Sequence, residues 1–184
     1  GANRTVAEDA GATSVTGWAT SISAGPGETG TVTFSLSTDN DGLFAVLPAV
    51  SSTGTLTFTP ATNVNGSATV TITAEDPDGA TSASQSFTIS VTAVNDAPSF
   101  VKGANQTVDE DGGAQSVTGW ATSISSGPSD ESTQTVSFTV TNTNNTLFSS
   151  QPAISAAGVL TFTPAADANG SATVSVTAVD SGSG

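Results

Sequence analysis

Ser14-Val15-Thr16-Gly17-Trp18-Ala19-Thr20-Ser21-Ile22-Ser23 returns without a change as Ser116 to Ser125. The match spreads outward in both directions. Gly1-Ala2-Asn3 and Thr5-Val6 return as Gly103-Ala104-Asn105 and Thr107-Val108. Leu56-Thr57-Phe58-Thr59-Pro60 returns as Leu160 to Pro164, and Asn65-Gly66-Ser67-Ala68-Thr69-Val70 as Asn169 to Val174. The offset is 102 residues before the Gly25-Pro26 loop and 104 after it, so the second copy carries two extra residues there. Insertions settle in loops, where no ladder or core has to absorb them. A period of this length marks two copies of one structural unit.

Inside each copy the hydrophobic period is two. Val32, Phe34 and Leu36 alternate with Thr33 and Ser35, and Phe87, Ile89 and Val91 with Thr88 and Ser90. Such alternation, rich in Val and Thr, describes strands with one buried face. Gly25-Pro26-Gly27, Asp41-Gly42, Asn65-Gly66 and Pro77-Asp78-Gly79 punctuate the runs as turns. Strands are expected at Thr5–Val6, Ser14–Ala19, Thr31–Ser37, Ala49–Ser51, Thr55–Thr59, Ala68–Ala74 and Ser86–Val94. About seven short strands per roughly 100 residues imply an antiparallel Greek-key sandwich of immunoglobulin type. The fold class is therefore all-β, with two tandem sandwich domains at 1–98 and 99–184 and a linker over about 93–102. The second copy has no counterpart of Phe87-Thr88-Ile89-Ser90-Val91, so it is expected to lack its last strand. Truncation accounts for that, or assembly by donor-strand complementation into a filament.

Composition narrows the chemistry. Sixteen Asp and Glu face only Arg4 and Lys102, for a net charge of −14. Phosphate recognition needs clustered cations, which excludes nucleic acid and anionic membrane surfaces as partners. The repulsion is relieved by bound cations or by salt. Cys, His, Met and Tyr are all absent. Zinc, haem and Ser-His-Asp chemistry are excluded with them, and the acids sit in turns rather than in a cleft, so no enzyme activity is expected. No run is apolar enough for membrane insertion. Without an initiator Met or a signal peptide, the sequence reads as an internal piece of a longer protein.

Thr73-Ala74-Glu75-Asp76-Pro77-Asp78-Gly79, followed by Phe87 to Val91 and then Val94-Asn95-Asp96-Ala97-Pro98, resembles the end of a cadherin repeat and its linker. The chain is similar to the bacterial cadherin-like repeats of large surface adhesins and secreted repeat proteins. That resemblance implies an extracellular, cell-surface location, neighbouring repeats as partners, and Ca²⁺ between successive modules. The strand order places Glu8, Asp9, Asn63, Asn65, Asn95 and Asp96 at the pole of the first copy that faces the second, and Asp130, Glu131 and Asp180 at the facing pole; of these, Glu8, Asp180, Asn95 and Asp96 fall on the family's own ligand positions. Asp76, Asp78 and Glu110 would form outer half-sites. Carboxylates and amide carbonyls are the hard oxygen donors that Ca²⁺ takes in sets of six to eight. Departures from the family pattern exist. Asn63-Val64-Asn65 stands where cadherins carry Asp-Arg-Glu, and Ala93 and Ala97 replace two linker ligands. Fewer ions, or affinities of about 10⁻⁴–10⁻³ M, are the expectation. Asn65-Gly66 also suits a plain turn.

Trp18 and Trp120 carry the rival reading, a carbohydrate-binding module whose rings stack on polysaccharide. Core packing is the bland alternative for both. The combined expectation is a calcium-binding, cadherin-like spacer or adhesion module, with polysaccharide or other cell-surface proteins as possible partners.

Overall fold

The computed structural model describes residues 1–182; Ser183 and Gly184, the last of the Ser-Gly tail, lie outside them. The chain divides into two compact units, Gly1–Val94 and Asn95–Gly184.

Unit 1 holds seven strands: β1 (Arg4–Ala7), β2 (Thr13–Val15), β3 (Thr33–Thr38), β4 (Phe44–Val50), β5 (Leu56–Pro60), β6 (Gly66–Glu75) and β7 (Gln85–Thr92). They form two sheets, β1-β7-β6-β3 and β2-β5-β4. Every expected strand is present, with shifted ends. β2 stops at Val15 because Gly17 turns the chain at φ +66°. The arrangement is not wholly antiparallel: β1 runs parallel to β7, pairing Val6 with Val91. The chain leaves β1 through the Ala7–Ala10 turn and enters β2 in the opposite sheet.

The core lies between the two sheets. Val70, Phe87, Ile89 and Val91 from one sheet meet Leu56 and Phe58 from the other. Trp18 closes one side. It is 8% exposed, its ring centroid lies 4.4 Å from that of Phe87, and its indole N–H donates to the Ala2 carbonyl at 2.8 Å. A ring so enclosed cannot stack on a sugar, which corrects the carbohydrate reading of Trp18. The sequence pattern did not reveal this burial, because it depends on a strand almost seventy residues away.

Unit 2 also has seven strands among its described residues: β8 (Ser99–Lys102), β9 (Gln115–Val117), β10 (Ala121–Ser125), β11 (Val136–Asn142), β12 (Phe148–Ile154), β13 (Leu160–Pro164) and β14 (Val174–Asp180). They pair as β10-β8, β11-β14 and β12-β13-β9. β8 falls in the stretch expected to be linker. Its Phe100 packs edge-on against Phe138, with centroids 5.1 Å apart.

Position by position, the two copies differ where a neighbouring strand differs. β6 begins at Gly66, and its first residues pair only with β7. The copied stretch Gly170–Thr173 has no strand beside it and is not itself a strand. Thr107-Val108 is likewise irregular, although its copy Thr5-Val6 belongs to β1.

β7 therefore carries a large part of unit 1. Burying a Phe, Ile or Val side chain contributes about 1.5–3 kcal/mol each. Replacing Ile89 with Ala should cost unit 1 about 2–5 kcal/mol. In a Trp120→Phe background, where Trp18 alone reports, the thermal midpoint should fall by roughly 10 °C or more. A loss under about 1 kcal/mol would contradict the packing described for β7.

Candidate functional site

The acidic residues expected at the unit ends fall into two groups, one in each unit, and each is organised by a buried glutamate.

In unit 1 the residue is Glu8, just after β1. Its backbone N–H donates to the Thr92 carbonyl at 3.0 Å. Its Oε1 accepts from the Val94 N–H at 2.7 Å. The side chain is 1% exposed, and Oε2 is buried with no hydrogen-bond partner. Asp9 is exposed. Glu110, the copy of Glu8, is exposed and accepts only a long 3.4 Å contact from Asn169. Among the described residues no strand in unit 2 supplies what Thr92 and Val94 supply to Glu8, so the same Glu-Asp pair is organised in one copy and solvated in the other.

In unit 2 the residue is Glu131, in a one-turn 3-10 helix at Ser129–Glu131. This helix forms in the segment that carries the two-residue insertion. Glu131 Oε1 accepts from the Asp96 N–H at 2.8 Å and from Gln134 Nε2 at 3.2 Å. The residue is 4% exposed, and Oε2 is again buried without a partner. Gln134 also donates to Asn95 Oδ1 at 3.0 Å, while its own Oε1 is buried and unpartnered. Asn95 Nδ2 donates to Asp180 Oδ1 at 3.1 Å, and that oxygen also accepts from the Gly182 N–H at 2.9 Å. Asn95, Asp96, Glu131, Gln134 and Asp180 thus form one hydrogen-bonded cluster, with Asp130 half-buried beside Glu131 in the chain. Gln134 was not anticipated. It lies in the same loop as Glu131, the one that carries the two-residue insertion.

Other expected ligands have local work. Asp76 Oδ1 accepts from the N–H groups of Asp78 and Ala80 at 3.0 and 2.8 Å and holds their turn. Asp78 is exposed. Asn63 adopts a left-handed backbone, φ +56°, as does its copy Asp167 at +55°. That conformation suits Asn and Asp in turns. The left-handed residue is Asn63, where Asn65-Gly66 was the pair expected to turn. Gly66 follows at φ +139°, and Asn65 is exposed.

Among the described residues no three Asp or Glu side chains gather as a metal group. The donors are instead mixed carboxylate and amide oxygens. Burying a polar oxygen without a partner is costly. Glu8 Oε2, Glu131 Oε2 and Gln134 Oε1 are such oxygens, and hard oxygen is the donor type Ca²⁺ takes. Of these three oxygens, one lies in unit 1 and two lie in unit 2. Trp120 is half-buried, and its indole N–H donates to the Ala104 carbonyl at 2.9 Å.

Fold and site define an all-β protein of two immunoglobulin-like sandwich units with organised acidic clusters. No family model and no curated protein matches the chain. Among solved structures it is similar to the D00-D0 domain of intimin, at 15% identity over 98% of this chain and 93% of that one, with a TM-score of 0.31. No helix among the described residues is long and apolar enough to cross a membrane.

Glu131 leaves no room beside Gly127, because a Cβ there would meet its Oε2. Gly127→Ala should displace that carboxylate from Asp96 and destabilise unit 2. Gly170→Ala is the control, since its φ of +138° is close to the +151° of Gly127 and its surroundings are open. The difference should be about 1–3 kcal/mol in urea unfolding followed through Trp120 with Trp18→Phe. Equal losses would mean the Glu131 contact contributes nothing.

Proposed function

We propose that this chain is a non-enzymatic, calcium-binding spacer and adhesion segment of an extracellular bacterial repeat protein, cadherin-like in its acidic ends. The observation that carries the reading is the pair of buried glutamates. Each gives one oxygen to a backbone N–H, of Val94 or of Asp96, and keeps the other buried without a partner. A divalent cation would compensate both the orphaned oxygens and part of the −14 charge. In unit 2 the holding residues would be Glu131 and Gln134, with Asn95, Asp96, Asp130 and Asp180 around them. In unit 1 the ligand would be Glu8. The bound ion would supply charge neutralisation and ordering, with no step of chemistry.

The absence of His and Cys removes the usual nucleophile and base pairs, which supports a binding or spacer role over catalysis. Turn-borne acids and strands built of Val and Thr suit a passive, repeated element that holds other domains away from a surface.

A thermal melt in about 10 mM CaCl₂ and in chelator tests the reading. A site with Kd near 0.1 mM should add about 2.7 kcal/mol. The midpoint should then rise by roughly 10 °C or more. Mg²⁺ should give little, because it demands a smaller, near-ideal octahedron and sheds water reluctantly. Glu131→Gln separates the cation effect from ordinary packing. It should abolish the calcium-dependent rise of unit 2 and leave that of unit 1. A wild-type midpoint that ignores calcium would leave these buried acids as hydrogen-bond acceptors of the backbone, with no ion.

A further inference from the structure

The chain passes from unit 1 to unit 2 at the Val94–Asn95 peptide. An unpinned linker over the stretch expected here would give wide freedom, because reach grows with the number of loose residues. The structure pins the stretch from both sides. On the unit 1 side one residue holds two positions. Glu8 donates its N–H to the Thr92 carbonyl at 3.0 Å, and its Oε1 accepts from the Val94 N–H at 2.7 Å. Packing does not hold this segment, since Thr92, Ala93 and Val94 are exposed.

The unit 2 side is held by a different set. Asp96 donates its N–H to Glu131 Oε1 at 2.8 Å. Asn95 accepts from Gln134 Nε2 at 3.0 Å and donates to Asp180 Oδ1 at 3.1 Å, so both ends of its carboxamide are engaged. The seat is close-fitting. A Cβ at Gly127 would lie 3.5 Å from that of Asp96, and one at Gly182 would collide with the Asn95 carboxamide.

We infer that Glu8 and Glu131 are paired backbone clamps, one in each unit, that shorten the joint between the units to the single peptide Val94–Asn95. A peptide bond is planar, so two torsions remain free there, ψ of Val94 and φ of Asn95. Both clamp bonds lie at the short end of the N–H···O range. Both are shielded from water, Glu8 being 1% and Glu131 4% exposed, and a hydrogen bond is stronger in such surroundings than in solvent. Only Oε1 of each glutamate is used. The joint is therefore short without a cation at either Oε2, and the stiffness of the spacer is set by the fold itself.

The chain has no cysteine, so Ser52→Cys and Ala157→Cys, both in exposed turns, place one spin label on each unit. Pulsed dipolar spectroscopy in chelator then reads the width of the distance distribution. A narrow distribution is expected for the labelled chain. Glu8→Ala frees Ala93 and Val94, and Glu131→Ala frees Asp96 and Ala97, so each should widen the distribution about 1.5-fold or more. Glu8→Gln keeps an acceptor oxygen for the Val94 N–H and should restore the narrow width. Glu28→Ala, at an exposed acid away from residues 92–96, should leave the width unchanged. Amide exchange gives the local readout. In Glu8→Ala the Val94 N–H should exchange at least about tenfold faster with Asp96 unaffected, and Glu131→Ala should do the reverse; unfolding of a whole unit would instead release its strands together. A labelled chain already as wide in chelator as the Ala variants overturns the inference. If CaCl₂ then narrows it, the stiffness belongs to the ion and the calcium reading stands alone. A narrow width in chelator, together with a thermal midpoint that ignores calcium, keeps the clamps and removes the ion.

Discussion

The pairing and burial of β7 is the constraint on which the rest of unit 1 depends. Its central position in the β1-β7-β6-β3 sheet gives β1 a partner and extends β6 to Gly66. Its inward side chains complete the core, and Phe87 encloses Trp18. Its exit toward Val94 brings the N–H that Glu8 accepts. Stability, the enclosure of the tryptophan and the organisation of an acid are three consequences of one strand. Unit 2 shows the converse: with no such strand among its described residues, Trp120 is half-buried, Gly170–Thr173 is irregular and Glu110 is exposed.

The acidic ends illustrate how a repeated sequence acquires different chemistry. Glu8 and Glu110 descend from one motif, yet only Glu8 is buried. Unit 2 builds its own cluster around a loop that differs from that of unit 1, since Glu131 and Gln134 flank the two-residue insertion and Gly30 stands at the position of Gln134. The insertion adds a 3-10 turn, and the turn directs a carboxylate against the amide of Asp96. In each case a buried acid is tied to a backbone amide near residues 94–96, and in each case one oxygen is left over. The proposed cation would act at such a point by offsetting the desolvation of the acid and the repulsion of its neighbours, in a fold with no disulfide and a thin core.

Much of this was legible in the residues. The period-two runs located the strands to within a few positions, because alternation is dictated by the pleat itself. The recurrence of Ser14 to Ser23 established two copies. Glu8, Asn95, Asp96, Glu131 and Asp180 were candidates by residue type and placement. What they lacked was any indication of burial or of hydrogen-bond partners. Gln134 was missed because nothing in the local sequence sets it apart from the other polar residues of its loop. Asp76 looked like a ligand and serves as a turn acceptor, a role local sequence also permits.

Ala19-Thr20-Ser21-Ile22-Ser23 and Ala121-Thr122-Ser123-Ile124-Ser125 mark the limit most sharply. The residues are identical, yet the second stretch is β10 and the first is irregular. β10 has β8 beside it, and Ala19–Ser23 has no strand in unit 1 to pair with. By itself the sequence determined the all-β class, the two copies, the turns and the excess of acid, because these rest on side-chain periodicity, backbone preference and charge, all local properties. Only the tertiary structure decided which strands exist at the edges, that β1 runs parallel to β7 and which glutamates are buried. Each of those depends on hydrogen bonds and apolar contacts between residues far apart in the chain, and a strand cannot satisfy its edge alone.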